Sequence, residues 1–331
     1  MSKDKKLKIV TIGGGTGSFT LLTELKELPN VDISAIVAMS DSGGSTGRLR
    51  VDMGVLPAGD VRQALVALSN SSEYLRKLFT YRYEVGSMTG HTFGNLFIST
   101  LEEISGSLEE AVSQASKILG VKGNIYPVTL TDHQLEVEMP NGEQVHGEGD
   151  IDNRYIAGYT SIRLTDSPVL NPNAALSIEQ ADIVIIAPGN FYCSIIPNMI
   201  TPGLSEILQR SKAKKVMIAN LLTKEGHTSG FTVAKFLTEL ESLSGGFVPD
   251  VVVYNSVKTV TQEIEELYKS EGGELVELGD VSEFEEKHGV EFIGADIVAS
   301  TPSSSQSKAD VVKRSYLRHD AKKLLKLLDL E

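Results

Sequence analysis

The chain has one cysteine in 331 residues, Cys193, so no internal disulfide can staple it. No histidine or cysteine cluster has zinc-ligand spacing. Basic residues are the minority: 31 Lys and Arg against 44 Asp and Glu leave a net charge of −13. A general nucleic-acid binder works through a basic face that displaces counterions, which argues against DNA or RNA as a ligand. No apolar run approaches the roughly 18 residues of a membrane span, and the Lys-rich start has no apolar h-region. The expectation is a cytoplasmic protein without membrane insertion.

What is present is an alternation of strand and helix patterns, with 41% hydrophobic residues to build a core. Leu7–Ile12 predicts a strand and Phe19–Glu27 a helix with Leu21, Leu22, Leu25 and Leu28 as its buried stripe. Ile33–Met39 predicts a second strand, and Val61–Ser69 a helix with Asp60 at its N-cap. Thr92–Ile104 and Leu108–Leu119 predict two more helices. This is the βαβ rhythm of a parallel sheet with right-handed crossovers.

The rhythm changes between Asn124 and Leu164. Gln134–Met139 alternates apolar and polar residues, Pro140–Glu143 is a turn, Gln144–Gly147 returns, and Ile162–Leu164 adds a strand. A β-hairpin insertion over about 124–165 is expected. Buried strands then recur at Ile183–Ala187, Val216–Ala219 and Val251–Tyr254. Val260–Ser270 predicts a helix, Glu274–Leu278 an edge strand, Ser300–Ser307 a loop, and a last helix occupies about 320–331. With no repeat and no clear linker, a single α/β domain over 1–331 is expected, with a mostly parallel sheet.

Glycine-rich turns follow the first two strands. Gly13-Gly14-Gly15-Thr16-Gly17 fits the start of a G-x-G-x-x-G turn, but Ser18 stands at the third glycine position and no Walker A lysine follows. It is either a bare strand-to-helix turn or an anion cradle backed by a helix N-terminus. The second turn, Asp41-Ser42-Gly43-Gly44-Ser45-Thr46-Gly47-Arg48-Leu49-Arg50, combines glycines, hydroxyls, a carboxylate and arginines. Its backbone N–H groups and the Arg48 and Arg50 guanidinium groups suit phosphate oxygens. Asp41 stands where a ribose-gripping acid would, can equally coordinate Mg²⁺ beside a diphosphate, and can also just cap its own loop.

Further candidates come from later turns. Asp60 lies where Pro57–Arg62 opens a helix. His91 and Asn95 share a helix face if that helix has begun by His91. Gly189, Asn190 and Ser194 follow the most apolar strand, and Asn220 and Thr223 follow another. Cys193 has no histidine partner in sequence, which argues against a nucleophile. Two such glycine turns after consecutive strands suggest a phosphorylated ligand across the strands' carboxyl ends. A nicotinamide-dependent oxidoreductase has only the first turn in its favour.

These motifs come in a fixed order: Gly13–Gly17, Asp41–Arg50, Pro57–Arg62, Gly90–Leu96, Pro188–Tyr192 with Ile196-Pro197-Asn198, and Arg318-His319-Asp320. Together, from about Lys8 to the last helix, they resemble the gluconeogenesis-factor (YvcK-like) bacterial branch of the CofD-like 2-phospho-L-lactate transferase family. The resemblance implies a Rossmann-like three-layer fold. For the bacterial branch it implies a protein that binds UDP-sugars such as UDP-N-acetylglucosamine and supports growth on gluconeogenic carbon and cell shape. For the archaeal branch it implies a Mg²⁺-dependent transferase acting from a nucleoside diphosphate donor. Carried over by residue, Gly13–Gly17 and Gly43–Gly47 cradle a diphosphate, and Asp41 takes ribose, sugar or metal. Tyr268 and Arg318 match positions that hold the nucleotide sugar, through the base and the diphosphate respectively. In a transferase, His91 or Asp41 would be the base. The chain departs from the pattern at Ser42, where a second aspartate is usual, and at Ala321, where a threonine often stands. Binding is expected to need no cofactor, with Mg²⁺ serving a transferase; a homo-oligomer and an unidentified cell-envelope regulatory partner are also expected.

Overall fold

The computed structural model describes residues 6–257, 266, 273–299 and 317–330. Its main sheet has seven strands: β1 (Leu7–Gly13), β2 (Val31–Val37), β3 (Asn124–Pro127), β7 (Ile183–Ile186), β8 (Lys214–Ile218), β9 (Val251–Asn255) and β10 (Glu291–Ala295). The spatial order is β10-β9-β8-β7-β1-β2-β3, and every pairing is parallel. Consecutive residues are buried in the central strands, such as Ile9–Ile12 and Val184–Ile186. Both faces of the sheet are therefore covered, which is what turns apolar, β-branched runs into parallel strands.

Between the strands lie α1 (Gly15–Leu25), α2 (Gly44–Met53), α3 (Gly59–Leu68), α4 (Glu73–Thr80), α5 (Phe93–Ser105) and α6 (Leu108–Leu119). The hairpin insertion is a three-stranded antiparallel sheet of β4 (Leu135–Glu138), β5 (Gln144–His146) and β6 (Ser161–Leu164), with β4 central. A short helix, α7 (Glu148–Asp152), follows β5. Helices α8 (Pro172–Glu179), α9 (Ile196–Met199), α10 (Leu204–Arg210) and α11 (Val233–Leu243) complete the second half. The last helix, α12 (Ala321–Leu327), has Asp320 as its N-cap, accepting from the Lys323 N–H at 3.2 Å.

Several expectations need correction. The second glycine turn is a loop only to Gly43; from Gly44, at φ +47°, it is already helix. Asp60 does not cap α3: Ala58 is the N-cap and Asp60 sits in the first turn with its carboxylate turned to Gly15. His91 precedes α5, whose N-cap is Thr92, so His91 and Asn95 do not share a helix face. Asn124–Pro127 pairs with β2 as the edge of the main sheet, so the insertion begins after it. Glu274–Leu278 forms only a bridge at Leu275 with Leu222, and the edge strand on that side is β10. Val260–Ser270 apart from Glu266, Tyr268 within it, and Ser300–Ser307 lie outside the described residues.

Candidate functional site

The winding of the sheet reverses between β1 and β7, and the crevice above such a switch point is where ligands enter open α/β sheets. Here the turns after β1 and β7 interlock. A Cβ on Gly17 would stand 2.0 Å from the Pro188 carbonyl oxygen, so α1 can start against the β7 turn only with glycine there. Asn190 caps a π-helical turn, Phe191–Ile195, accepting from the Cys193 N–H at 3.4 Å. Ser194 Oγ lies 3.8 Å from the Cβ position of Gly15. Asn220, at the end of β8, donates from Nδ2 to the Gly189 carbonyl at 2.8 Å.

These contacts frame a cavity of about 420 Å³. Gly15–Gly17, Gly189, Asn190, Ser194, Asn220 and Arg318 line it together, although they come from four separate stretches of chain. Backbone N–H groups at the start of α1, side-chain amides and a guanidinium suit an elongated anion. Beside Arg318, His319 donates from Nε2 to the Ala219 carbonyl at 2.9 Å. Burial pushes its pKa down to about 4, so it is neutral at pH 7 and acts as a clasp on the β8 end.

Carboxylates gather next to the cavity. Asp60 Oδ1 accepts the Gly15 N–H at 3.0 Å, and Asp41 Oδ1 accepts the Gly43 N–H at 2.9 Å. The Cβ position of Gly43 is 3.5 Å from Asp41 Oδ1 and 3.7 Å from Glu148 Oε2, which places Glu148 beside Asp41. Asp152 accepts from Asn190 Nδ2 and from Lys224 Nζ. Burial first, and then the mutual repulsion of these acids, push Asp60 up to about 7 and Glu148 up to about 8. Burial likewise raises Asp41, against the pull of the Gly43 N–H and the Thr46 hydroxyl. Ligand atoms of Glu148, Asp152 and Cys193 lie within 4.8 Å of one another. Burial and then Glu148 hold the Cys193 thiol well above its ordinary value, so it is no thiolate nucleophile.

The hairpin insertion delivers Glu148. Ser42 Oγ accepts the Gly149 N–H at 3.1 Å and docks α7 on the second glycine turn. Ser42 thus holds the helix that supplies another carboxylate. Sequence reasoning missed Glu148, Asp152 and Lys224. The available signal was Gly147-Glu148-Gly149-Asp150-Ile151-Asp152, an acidic, glycine-flanked stretch like the one at Asp41.

Other expected residues stand apart from the cavity. His91 Nδ1 is 3.2 Å from Ser45 Oγ, and burial, then Arg48, hold the ring below its ordinary pKa. Asn95 donates to Thr46 Oγ1 at 3.2 Å and accepts from Arg62 Nε at 2.8 Å. Ser45, Thr46 and Asn95 therefore tie α2 to α5. Arg50 pairs with Asp132 at 2.6 Å. Thr223 Oγ1 accepts the Glu274 N–H at 2.9 Å and does not line the cavity. Gly47 allows α2 to pack on its own loop, since a Cβ there would meet the Ser42 carbonyl at 2.0 Å.

A doubly wound parallel sheet with glycine turns at its switch point is an architecture on which many α/β proteins take nucleotides. The chain belongs to the CofD family: the model of 2-phospho-L-lactate transferase CofD matches residues 9–298. It is 36% identical over 327 residues to the gluconeogenesis factor of Bacillus subtilis, covering 98% of each chain. It is 37% identical over 278 residues to the gluconeogenesis factor of Halalkalibacterium halodurans, covering 82% of this chain and 84% of the relative. A crystal structure of a UPF0052 family member from Bacillus halodurans matches with a TM-score of 0.87 at 33% identity, over 98% of this chain and 99% of that one. Among the described residues no helix is long and apolar enough to cross a membrane.

Proposed function

We propose that this chain binds a UDP-sugar in the crevice at the β1–β7 switch point and, through that binding, supports growth on gluconeogenic carbon and the control of cell shape. The observation that carries the binding is the cavity in which the turns after β1, β7 and β8 meet Arg318. The diphosphate lies against Gly15–Gly17 and Ser194, with Arg318 as its charged partner. The names of the relatives support the metabolic role; cell shape follows from the family resemblance alone.

A second reading, a Mg²⁺-dependent transferase, is favoured by one specific observation, the gathering of Asp41, Asp60 and Glu148. Their hard oxygen atoms fit a divalent cation, and burial together with their mutual repulsion, which raises their pKa values, is what a bound cation would relieve. Asp41 and Glu148 would hold the ion, with Asp60 adding negative charge nearby, and bound Mg²⁺ would neutralise diphosphate charge. Asp41 would orient or accept a proton from a hydroxyl acceptor; His91, turned to Ser45, is the poorer candidate. Calorimetry with UDP-N-acetylglucosamine, with and without Mg²⁺, followed by mass spectrometry of the ligand, tests both. Intact bound ligand supports the binding protein. Release of a nucleoside monophosphate with Mg²⁺ and an acceptor supports the transferase. No binding in either condition overturns the UDP-sugar reading.

A further inference from the structure

About 6 Å along α2 from Gly44, where the carboxylate-bearing turn ends, two arginines converge. Arg48 donates from Nη1 to the Thr89 carbonyl at 2.9 Å, and its Nη2 lies 2.6 Å from the Cβ position of Gly90. Arg82 donates from Nη1 to the Gly90 carbonyl at 2.6 Å. Gly90 has φ +83°, and its missing side chain is what lets the Arg48 guanidinium close on the residue whose carbonyl Arg82 holds. Among the described residues neither group has a carboxylate within 4.0 Å, and the buried Arg82 Nε–H has no hydrogen-bond partner. His91 lies close enough to be depressed by both arginines, with Asp52 as the opposing acid. Burial and Arg48 also depress Arg82. Two cations held together only by backbone carbonyls, in a chain with 44 acidic residues, are poorly balanced without an anion between them.

We propose that Arg48 and Arg82 form an anion subsite, separate from the diphosphate cavity, for an oxyanion such as a phosphate or carboxylate group. Guanidinium forks match such oxygens in pairs. The spacing from the carboxylates fits an oxyanion on the far end of the nucleotide ligand or on a second small molecule, and the assignment rests to that extent on the nucleotide reading.

The test uses the full chain and inorganic phosphate, followed by calorimetry. Arg82→Gln should weaken phosphate about tenfold or more, and Arg82→Lys should recover part of the loss, with thermal melts showing all three folded. No phosphate binding by the unaltered chain, or a loss-free Arg82→Gln, overturns the subsite. Phosphate binding to the chain saturated with UDP-glucose assigns the oxyanion to a second molecule. Exclusion of phosphate by UDP-glucuronate but not by UDP-glucose, with only the former weakened in Arg82→Gln, assigns it to the ligand's own distal group. Failure of UDP-glucose to bind would count against the nucleotide reading alone, because the phosphate titration decides the subsite by itself.

Discussion

The Asp60 carboxylate accepts the Gly15 N–H at 3.0 Å, and its other oxygen fills the space a Gly14 side chain would need, 2.0 Å from that Cβ position. One side chain of α3 thus fixes the glycine turn that starts α1. It does so at the edge of an acidic cluster, which makes the turn's stability depend on pH.

Asp60 has a pKa of about 7 and Glu148 of about 8 in the folded chain, both above their unfolded values. The folded state therefore holds protons that the unfolded state has released. Stability should fall as pH rises from about 4 to about 8 and level off above that. Asp60→Asn keeps an oxygen for the Gly15 N–H and removes the charge. At pH 8 it should be more stable than the unaltered chain by about 1–3 kcal/mol, with little difference at pH 4. Urea denaturation at the two pH values measures this, and equal curves at pH 8 would sink the argument.

The same protons should be expelled by a divalent cation. Mg²⁺ binding near pH 7 should release about one proton, and affinity should be higher at pH 8 than at pH 5.5. Calorimetry in two buffers of different ionisation enthalpy counts the protons. Glu148→Gln should weaken Mg²⁺ about tenfold. A pH-independent affinity would show that the ion does not sit on these carboxylates.

The parallel core was legible because Leu7–Gly13, Ile183–Ile186 and Val251–Asn255 are apolar runs too short for buried helices and bounded by turn residues. Glycine turns after β1 and β2 marked the crevice. What escaped was long-range docking. Nothing local to Glu148 shows that the Ser42 hydroxyl, 106 positions earlier from Glu148, anchors the following residue. Conversely, Ser45, Thr46 and Asn95 look like ligand-binding residues in sequence, yet their polar atoms are used to join α2 to α5. Hydroxyls and amides serve either purpose, and only the fold says which.

The interlocked turns give a prediction on stability. Gly17→Ala would drive a methyl group onto the Pro188 carbonyl, a backbone atom that cannot rotate away. A loss of about 2–4 kcal/mol is expected. Gly230→Ala is the control: its φ of +72° adds strain, but nothing lies within 4 Å of its Cβ position. It should cost only about 1–2 kcal/mol. Chemical denaturation of both variants separates steric clash from backbone strain, and equal losses would show that the turns have room to part.

Arg318 tests the cavity itself. It lies next to His319, whose ring is clasped to the Ala219 carbonyl, so the guanidinium is presented from a fixed segment of backbone. Pre-organisation of this kind lowers the ordering cost on binding and leaves more of a charge-assisted bond visible in the affinity. Arg318→Ala should weaken UDP-N-acetylglucosamine by roughly 1.5–3 kcal/mol, about ten- to a hundredfold in Kd. Arg318→Lys should restore part of it, since the charge returns without the planar fork. Raising the salt concentration should narrow the gap between Arg318→Ala and the unaltered chain only slightly, because a partner lining a half-enclosed cavity is screened less than one in open solvent. Unchanged affinity in Arg318→Ala would move the diphosphate away from this side of the crevice.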